Sequence, residues 1–210
     1  MDNPIHQLPN YSLWKISENS LAKTVRFVVE TNYKRYLGNF PCNMEEEIKF
    51  IYNNEKQYFP HSCFYVIKDN HEQKIIGSIR ITHWTPKIHL PIQNKFGVDI
   101  ESITKQENVS TDHIWHIGRF AIDYQTLGKS SVLLLKTLLV NGFQMPYTDK
   151  NAILLAELDK RLFEKLKLLG IHAIQAGKSE IELGSETVPV YITSQGLLPF
   201  FEKHKHLCYV

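Results

Sequence analysis

Three sets of residues could do chemistry in this chain. Gln125, Leu127, Gly128, Lys129, Ser130 and Ser131 lie between an apolar strand-like run and an aliphatic helix. A chain that leaves a strand, turns at a glycine and enters a helix aims several backbone N–H groups outward, and the helix dipole adds partial positive charge, so such a corner suits phosphate. Arg80 and Arg119 each sit inside an otherwise apolar strand, where a buried guanidinium needs an acid, a phosphate or a carboxylate. They would clamp an acceptor carboxylate, fix an active-site acid, or form an internal salt bridge with Glu157 or Asp159. His116 lies two residues from Gly118 and four from Phe120, so a regular strand turns all three to one face. An imidazole, with an ordinary pKa of roughly 6.5, suits deprotonation of an amine, although a hydrogen-bonded core histidine beside Trp115 is an equally simple reading. Glu157, near the end of a buried strand, is a second candidate base.

The elements that must position these residues can be read from periodicity. Residues 20–36 and 44–58 read as helices, the second with Glu45, Glu46 and Glu47 in its first turn, where the dipole favours acids. Residues 63–67 and 74–82 read as strands joined by the polar link DNHEQ, and Gly77 in the second marks a bulge or a close backbone approach. Residues 85–113 show no clear period and are too long for an ordinary connection, so they are expected to cover something. Strand 114–123, helix 130–143, strand 152–158 and helix 159–169 follow, the last ended by Gly170; strand 188–193 and helix 199–204 close the chain. This order implies an α/β or α+β mixed sheet with at least one crossover.

Bulk properties exclude several classes. At 210 residues the chain suits a single domain, residues 1–210. A formal net charge of +2 with scattered lysines does not suit a nucleic-acid partner. Cys42, Cys63 and Cys208 are too few and too widely spaced for a disulfide framework or a zinc knuckle, and the ten histidines include no metal-binding helix pair. No apolar run is long enough to span a membrane, and a cytoplasmic protein with no metal is expected. A Walker A loop and a dinucleotide fingerprint both fail for want of glycines.

Gln125-Thr-Leu-Gly128-Lys-Ser130 fits the Gln/Arg-x-x-Gly-x-Gly/Ala pattern by which GNAT acyltransferases hold the pyrophosphate of coenzyme A, with serine in the last small position. KIIGSIRITHWTPKIHLPIQNKF, followed by IWHIGRFAID, resembles the central region of the acyl-homoserine lactone synthases and N-acyl amino acid synthases, a branch of that superfamily. Gly77 with Arg80 matches the Gly-x-x-Arg-Leu strand of that branch, and Arg119 with Phe120 matches its Glu-x-x-Arg-Phe strand. AILLAELDKRLFEKLKLLGIHAIQAGKSEIELGSETVPVYI is similar to its closing segment, so the resemblance covers roughly residues 60–193.

The resemblance implies a GNAT-like, mostly antiparallel central sheet with helices on both faces. It implies transfer of an acyl group from acyl-CoA, or from the phosphopantetheine of an acyl carrier protein, directly to an amine acceptor such as an amino acid. Phe120, Ala121 and Ile122 would then pair with the pantetheine arm, and residues 125–131 would hold the phosphates. His116 stands where the lactone synthases carry glutamate, and the acidic cluster they use for S-adenosylmethionine has no convincing counterpart in residues 53–61, which counts against a lactone product. The tyrosine that many GNAT enzymes use as general acid is replaced by Leu166. The alternative is a catalytically silent GNAT fold that binds CoA or a partner protein.

Overall fold

The computed structural model describes residues 1–210, except for the side chain of Lys129. In chain order the first half comprises β1 (Asn3–Gln7), β2 (Tyr11–Lys15), α1 (Leu21–Tyr36), α2 (Met44–Tyr58), β3 (Ser62–Asp69), β4 (Ile75–His83), α3 (Pro91–Asn94) and α4 (Ile100–Glu107). There follow β5 (Ile114–Ile122), α5 (Tyr124–Leu127), α6 (Ser131–Thr148), β6 (Ile153–Asp159), α7 (Lys160–Leu168), β7 (Ile174–Gln175), β8 (Glu180–Glu182), β9 (Ser185–Thr193) and α8 (Ser194–His204).

The chain divides into two compact units, one of Met1–Ile81, Arg119–Gly142 and Leu207–Val210, the other of Thr82–Gly118 and Phe143–His206. In the first unit the strand order is β1-β2-β3-β4-β5, and β1–β2 and β2–β3 are antiparallel. The β3–β4 link is fixed by Asp69, whose Oδ1 accepts from the His71 and Glu72 amides at 2.8 Å, as a short acidic side chain does in a turn. Helix α1 buries Leu21, Val25, Val28 and Val29, one stripe at helical spacing. Helix α2 buries Ile48 and Ile51, and the next residue of that stripe is Glu55. Gly77 does mark a close approach: a Cβ there would lie 3.0 Å from Leu138 Cδ1 of α6.

In the second unit β5 pairs with β6 in parallel, from Ile114↔Ile153 to Ile117↔Ala156. Antiparallel strands β9, β7 and β8 continue the order, β6 running against β9 along its whole length from Ile153↔Thr193 to Asp159↔Thr187. Residues 85–113, where the sequence shows no period, contain α3 and α4. Helix α4 is capped by Asp99, which accepts from the Glu101 and Ser102 amides, and it buries Ile100, Ile103 and Thr104. Eight residues are too few for a visible stripe among prolines. The short strands β1 and β2 also go beyond the sequence reading. The architecture is otherwise the expected mixed, mostly antiparallel α/β one. Among the described residues no helix is long and apolar enough to cross a membrane.

Candidate functional site

In the first unit, β5 leads into a tight capped turn. Asp123 caps α5, its carboxylate accepting from the Thr126 amide at 3.1 Å and the Thr126 hydroxyl at 2.6 Å. Burial would push that carboxyl up, but the two Thr126 hydrogen bonds and the charges of Lys34 and Lys74 hold it below the ordinary aspartate value. Gly128 then takes φ +49° and ψ −123°, a conformation that side chains with a Cβ resist. A short 3-10 turn, Gly128–Ser130, opens α6, where the Ser131 hydroxyl donates to the Gly128 carbonyl at 2.7 Å. Gly128 is exposed, and a Cβ built on it would meet no heavy atom within 4 Å. The corner is open main chain at the start of an 18-residue helix.

The same unit holds a buried charge cluster. Glu55 of α2 is fully buried and accepts from Arg80 Nη1 at 2.6 and 2.7 Å and from Arg119 Nε at 2.6 Å. Burial opposes ionisation of Glu55, but the two guanidiniums outweigh it and hold the carboxyl below its usual range. Arg80, 1% exposed, also lies over the Tyr58 ring at 5.5 Å. Glu55 is therefore the partner of both arginines, in place of Glu157 or Asp159. Arg119 has φ +52°, in the left-handed region that a non-glycine residue enters at a cost of about 1–3 kcal/mol. This interrupts the pleat of β5, so the simple alternation that aligns His116, Gly118 and Phe120 does not run through it. Phe120 is half-buried, and Ala121 and Ile122 are buried.

In the second unit His116 pairs in register with Leu155, and the two-residue strand period brings Glu157 to the same face one step along β6. His116 Nε2 and Glu157 Oε2 are 2.9 Å apart, with the imidazole 1% and the carboxylate 10% exposed. The two candidate bases thus form one dyad. With Nε2 donating to the carboxylate, the imidazole is held in one orientation.

A pocket of about 420 Å³ adjoins the turn in the first unit, with Gln125 and Tyr124 in its wall together with Lys34 and Arg35 of α1, Phe40 and Lys74.

No protein-family model and no curated protein sequence matches the chain. Solved structures do. FeeM, an N-acyl amino acid synthase from uncultured soil microbes, superposes with a TM-score of 0.60 at 14% identity over 94% of this chain and 96% of its own. The chain has the GNAT fold. TofI, solved in a ternary complex with an inhibitor and MTA, matches with a TM-score of 0.51 at 17% identity over 99% and 98% of the two chains. A ribosomal-protein-S5-alanine acetyltransferase from Vibrio fischeri matches with a TM-score of 0.50 at 13% identity over 90% and 96%.

Of the residues singled out on this GNAT fold, Gln125, Leu127, Gly128, Ser130 and Ser131 gather at the turn beside Ala121 and Ile122. The Lys129 side chain lies outside the described residues, while its backbone belongs to the 3-10 turn. Arg80 and Arg119 converge on Glu55, and His116 on Glu157. Glu55 was not singled out, yet two signals pointed to it. It continues the Ile48–Ile51 stripe of α2, and two arginines in apolar strands require an acid.

Proposed function

We propose that the whole chain acts as one N-acyltransferase domain, moving an acyl group from a pantetheine thioester to an amine by direct attack. The observation that carries this reading is the open turn at Gly128, set on a GNAT fold one short helix after the segment Phe120–Ile122. The Gly128 and Ser131 amides donate to the Tyr124 and Gly128 carbonyls, which fixes the turn, and its exposed main chain at the start of a long helix suits the donor's phosphates. The peptide groups of 120–122 suit the amides of the pantetheine arm, which are themselves donors and acceptors of strand type.

The amine nitrogen attacks the thioester carbon, a C–N bond forms and the C–S bond breaks. The proton lost by the amine goes to the His116–Glu157 dyad, and the departing thiolate is protonated from water, since no tyrosine stands at Leu166. The Glu55–Arg80–Arg119 cluster is a brace: it pins α2, β4 and the strained start of 119–122 together, so the donor segment keeps its shape without substrate. FeeM is described as an N-acyl amino acid synthase, and an amino acid is the acceptor class we assign here.

Release of free thiol from acyl-CoA and acyl-carrier-protein thioesters, with a panel of amino acids as acceptors, tests the activity. Thiol release that depends on an amine supports it; donor binding without any release supports a silent scaffold instead. Gly128→Val is expected to weaken donor binding at least about tenfold, because a branched Cβ occupies the approach to the amides in a backbone conformation made for glycine. The open space around Gly128 means that the fold itself tolerates the added atoms, which a melting curve checks. Unchanged donor affinity would remove the turn from the site.

A further inference from the structure

The His116 imidazole has two ring nitrogens, and Glu157 accounts for one of them. A carboxylate only accepts, so Nε2 carries the hydrogen of the 2.9 Å contact and the lone pair lies on Nδ1. A proton taken up by the ring therefore enters at Nδ1. Glu157 stands on β6, and the other neighbour of β5 in the sheet is β4. The register of those two strands decides what faces Nδ1. The Trp84 amide donates to the Ile114 carbonyl at 2.9 Å, and a bond of an antiparallel ladder joins residues that stand directly opposite. One step along, His83 faces Trp115, and the two rings do meet, with centroids 4.7 Å apart on one side of the sheet. One step further Thr82 faces His116, and the alternation of the pleat puts both side chains on the other side, with Cβ atoms about 5 Å apart.

Thr82 is 0% exposed and His116 1%, so the hydroxyl must find its partner within the protein. Strand preference alone accounts for a β-branched residue at position 82, and valine or isoleucine would meet it equally well; only a hydroxyl offers Nδ1 a proton. We infer that Thr82 is the third member of the dyad's site, its hydroxyl donating to Nδ1 so that hydroxyl, imidazole and carboxylate form one line across β4, β5 and β6. The ring is then held from both flanks, and its plane is fixed as well as its direction. A proton bound for Nδ1 passes through this hydroxyl. As the amine nitrogen bonds to the thioester carbon, its N–H bond breaks and an O–H bond forms at Thr82 Oγ1; the proton that Oγ1 held moves to Nδ1, and Nε2 keeps its own. The hydroxyl ends as it began, and the ring carries the proton that the amine lost. This rests on the reading of the dyad as base and adds the group that delivers its proton.

Nitrogen-15 NMR of histidine-labelled protein reads the contact without substrate, the His116 signals being assigned by their loss in His116→Ala. The ring is expected to carry its hydrogen on Nε2, and the Nδ1 resonance should move in Thr82→Val, which keeps the shape but not the hydroxyl, and stay in place in Thr82→Ser. A hydrogen on Nδ1, or an Nδ1 resonance identical in wild type and Thr82→Val, would overturn the inference whatever the activity. Kinetics read the transfer: Thr82→Val should lower kcat about 10²-fold with KM for the donor little changed, and Thr82→Ser should restore most of it. Wild-type turnover in Thr82→Val would overturn the relay, as would a Thr82→Ser that melts like wild type yet turns over as slowly as Thr82→Val. If wild type releases no thiol in an amine-dependent way, the proposed transfer falls, and the NMR comparison alone decides whether the hydroxyl holds the ring.

Discussion

Glu55→Ala is expected to lower the unfolding free energy by about 3–5 kcal/mol, the usual cost of removing one member of a buried ion cluster. The loss does not come from three short hydrogen bonds alone. The substitution also takes from Arg80, 1% exposed, and from the mostly buried Arg119 the carboxylate that both bind in a low-dielectric interior. Glu55→Gln retains the volume and one acceptor oxygen but not the charge, so it should fall between wild type and alanine.

The sign of the pH dependence follows from the depressed carboxyl. Its unfolded value is 4.5 and its folded value lies lower, so the stabilisation is fully present above pH 4.5 and is lost as pH falls through the folded value. The stability gap between wild type and Glu55→Ala, measured by urea unfolding, should therefore be constant near neutrality and shrink only in acid below pH 4.5. A gap that closes between pH 6 and 8 would mean that Glu55 is not the ionised centre of the cluster.

His116→Ala is expected to reduce kcat by about 10²–10⁴ with little change in donor affinity, the range for loss of a positioned general base. The imidazole belongs to β5 before the pleat is interrupted, whereas the proposed donor segment follows Arg119; binding and proton transfer are therefore assigned to different parts of one strand. Glu157→Gln keeps a hydrogen-bonding oxygen within reach of Nε2 and so the orientation of the ring, and it should lower kcat less than His116→Ala does. Turnover at the wild-type rate in both variants across the pH range would take the dyad out of the mechanism. Because His116 is buried, each variant needs a melting curve beside its kinetics.

Long, strongly patterned elements were readable from the chain. The α2 boundaries 44–58 agree with the structure, and strands 63–67, 74–82, 114–123 and 152–158 and helix 159–169 lie within two residues of their observed bounds, because apolar spacing and capping acids act locally. The helices read as 130–143 and 199–204 each run five residues further, on to Thr148 past Pro146 and back to Ser194 before Pro199. The turn was legible for the same reason, one glycine between a strand and a helix, but Asp123, read as the end of that strand, instead caps the short helix α5. What escaped depends on tertiary structure. The edge strands β1 and β2 are short and partly polar, and α4 needs the packing of Ile100 and Ile103 to declare itself. The left-handed backbone of Arg119 leaves no mark in a sequence, since only the fold imposes it. Glu55 shows the limit most clearly. Its position on the apolar stripe of α2 was visible, but joining it to residues 25 and 64 positions away required the sheet order.

The central claim is that main chain at two places grips the donor, and hydrogen exchange at backbone amides measures this directly. Saturating CoA or phosphopantetheine thioester is predicted to slow exchange in residues 120–122 and at the turn 128–131, and to do so in His116→Ala as in wild type. Bound ligand with unaltered exchange at both segments would contradict the account.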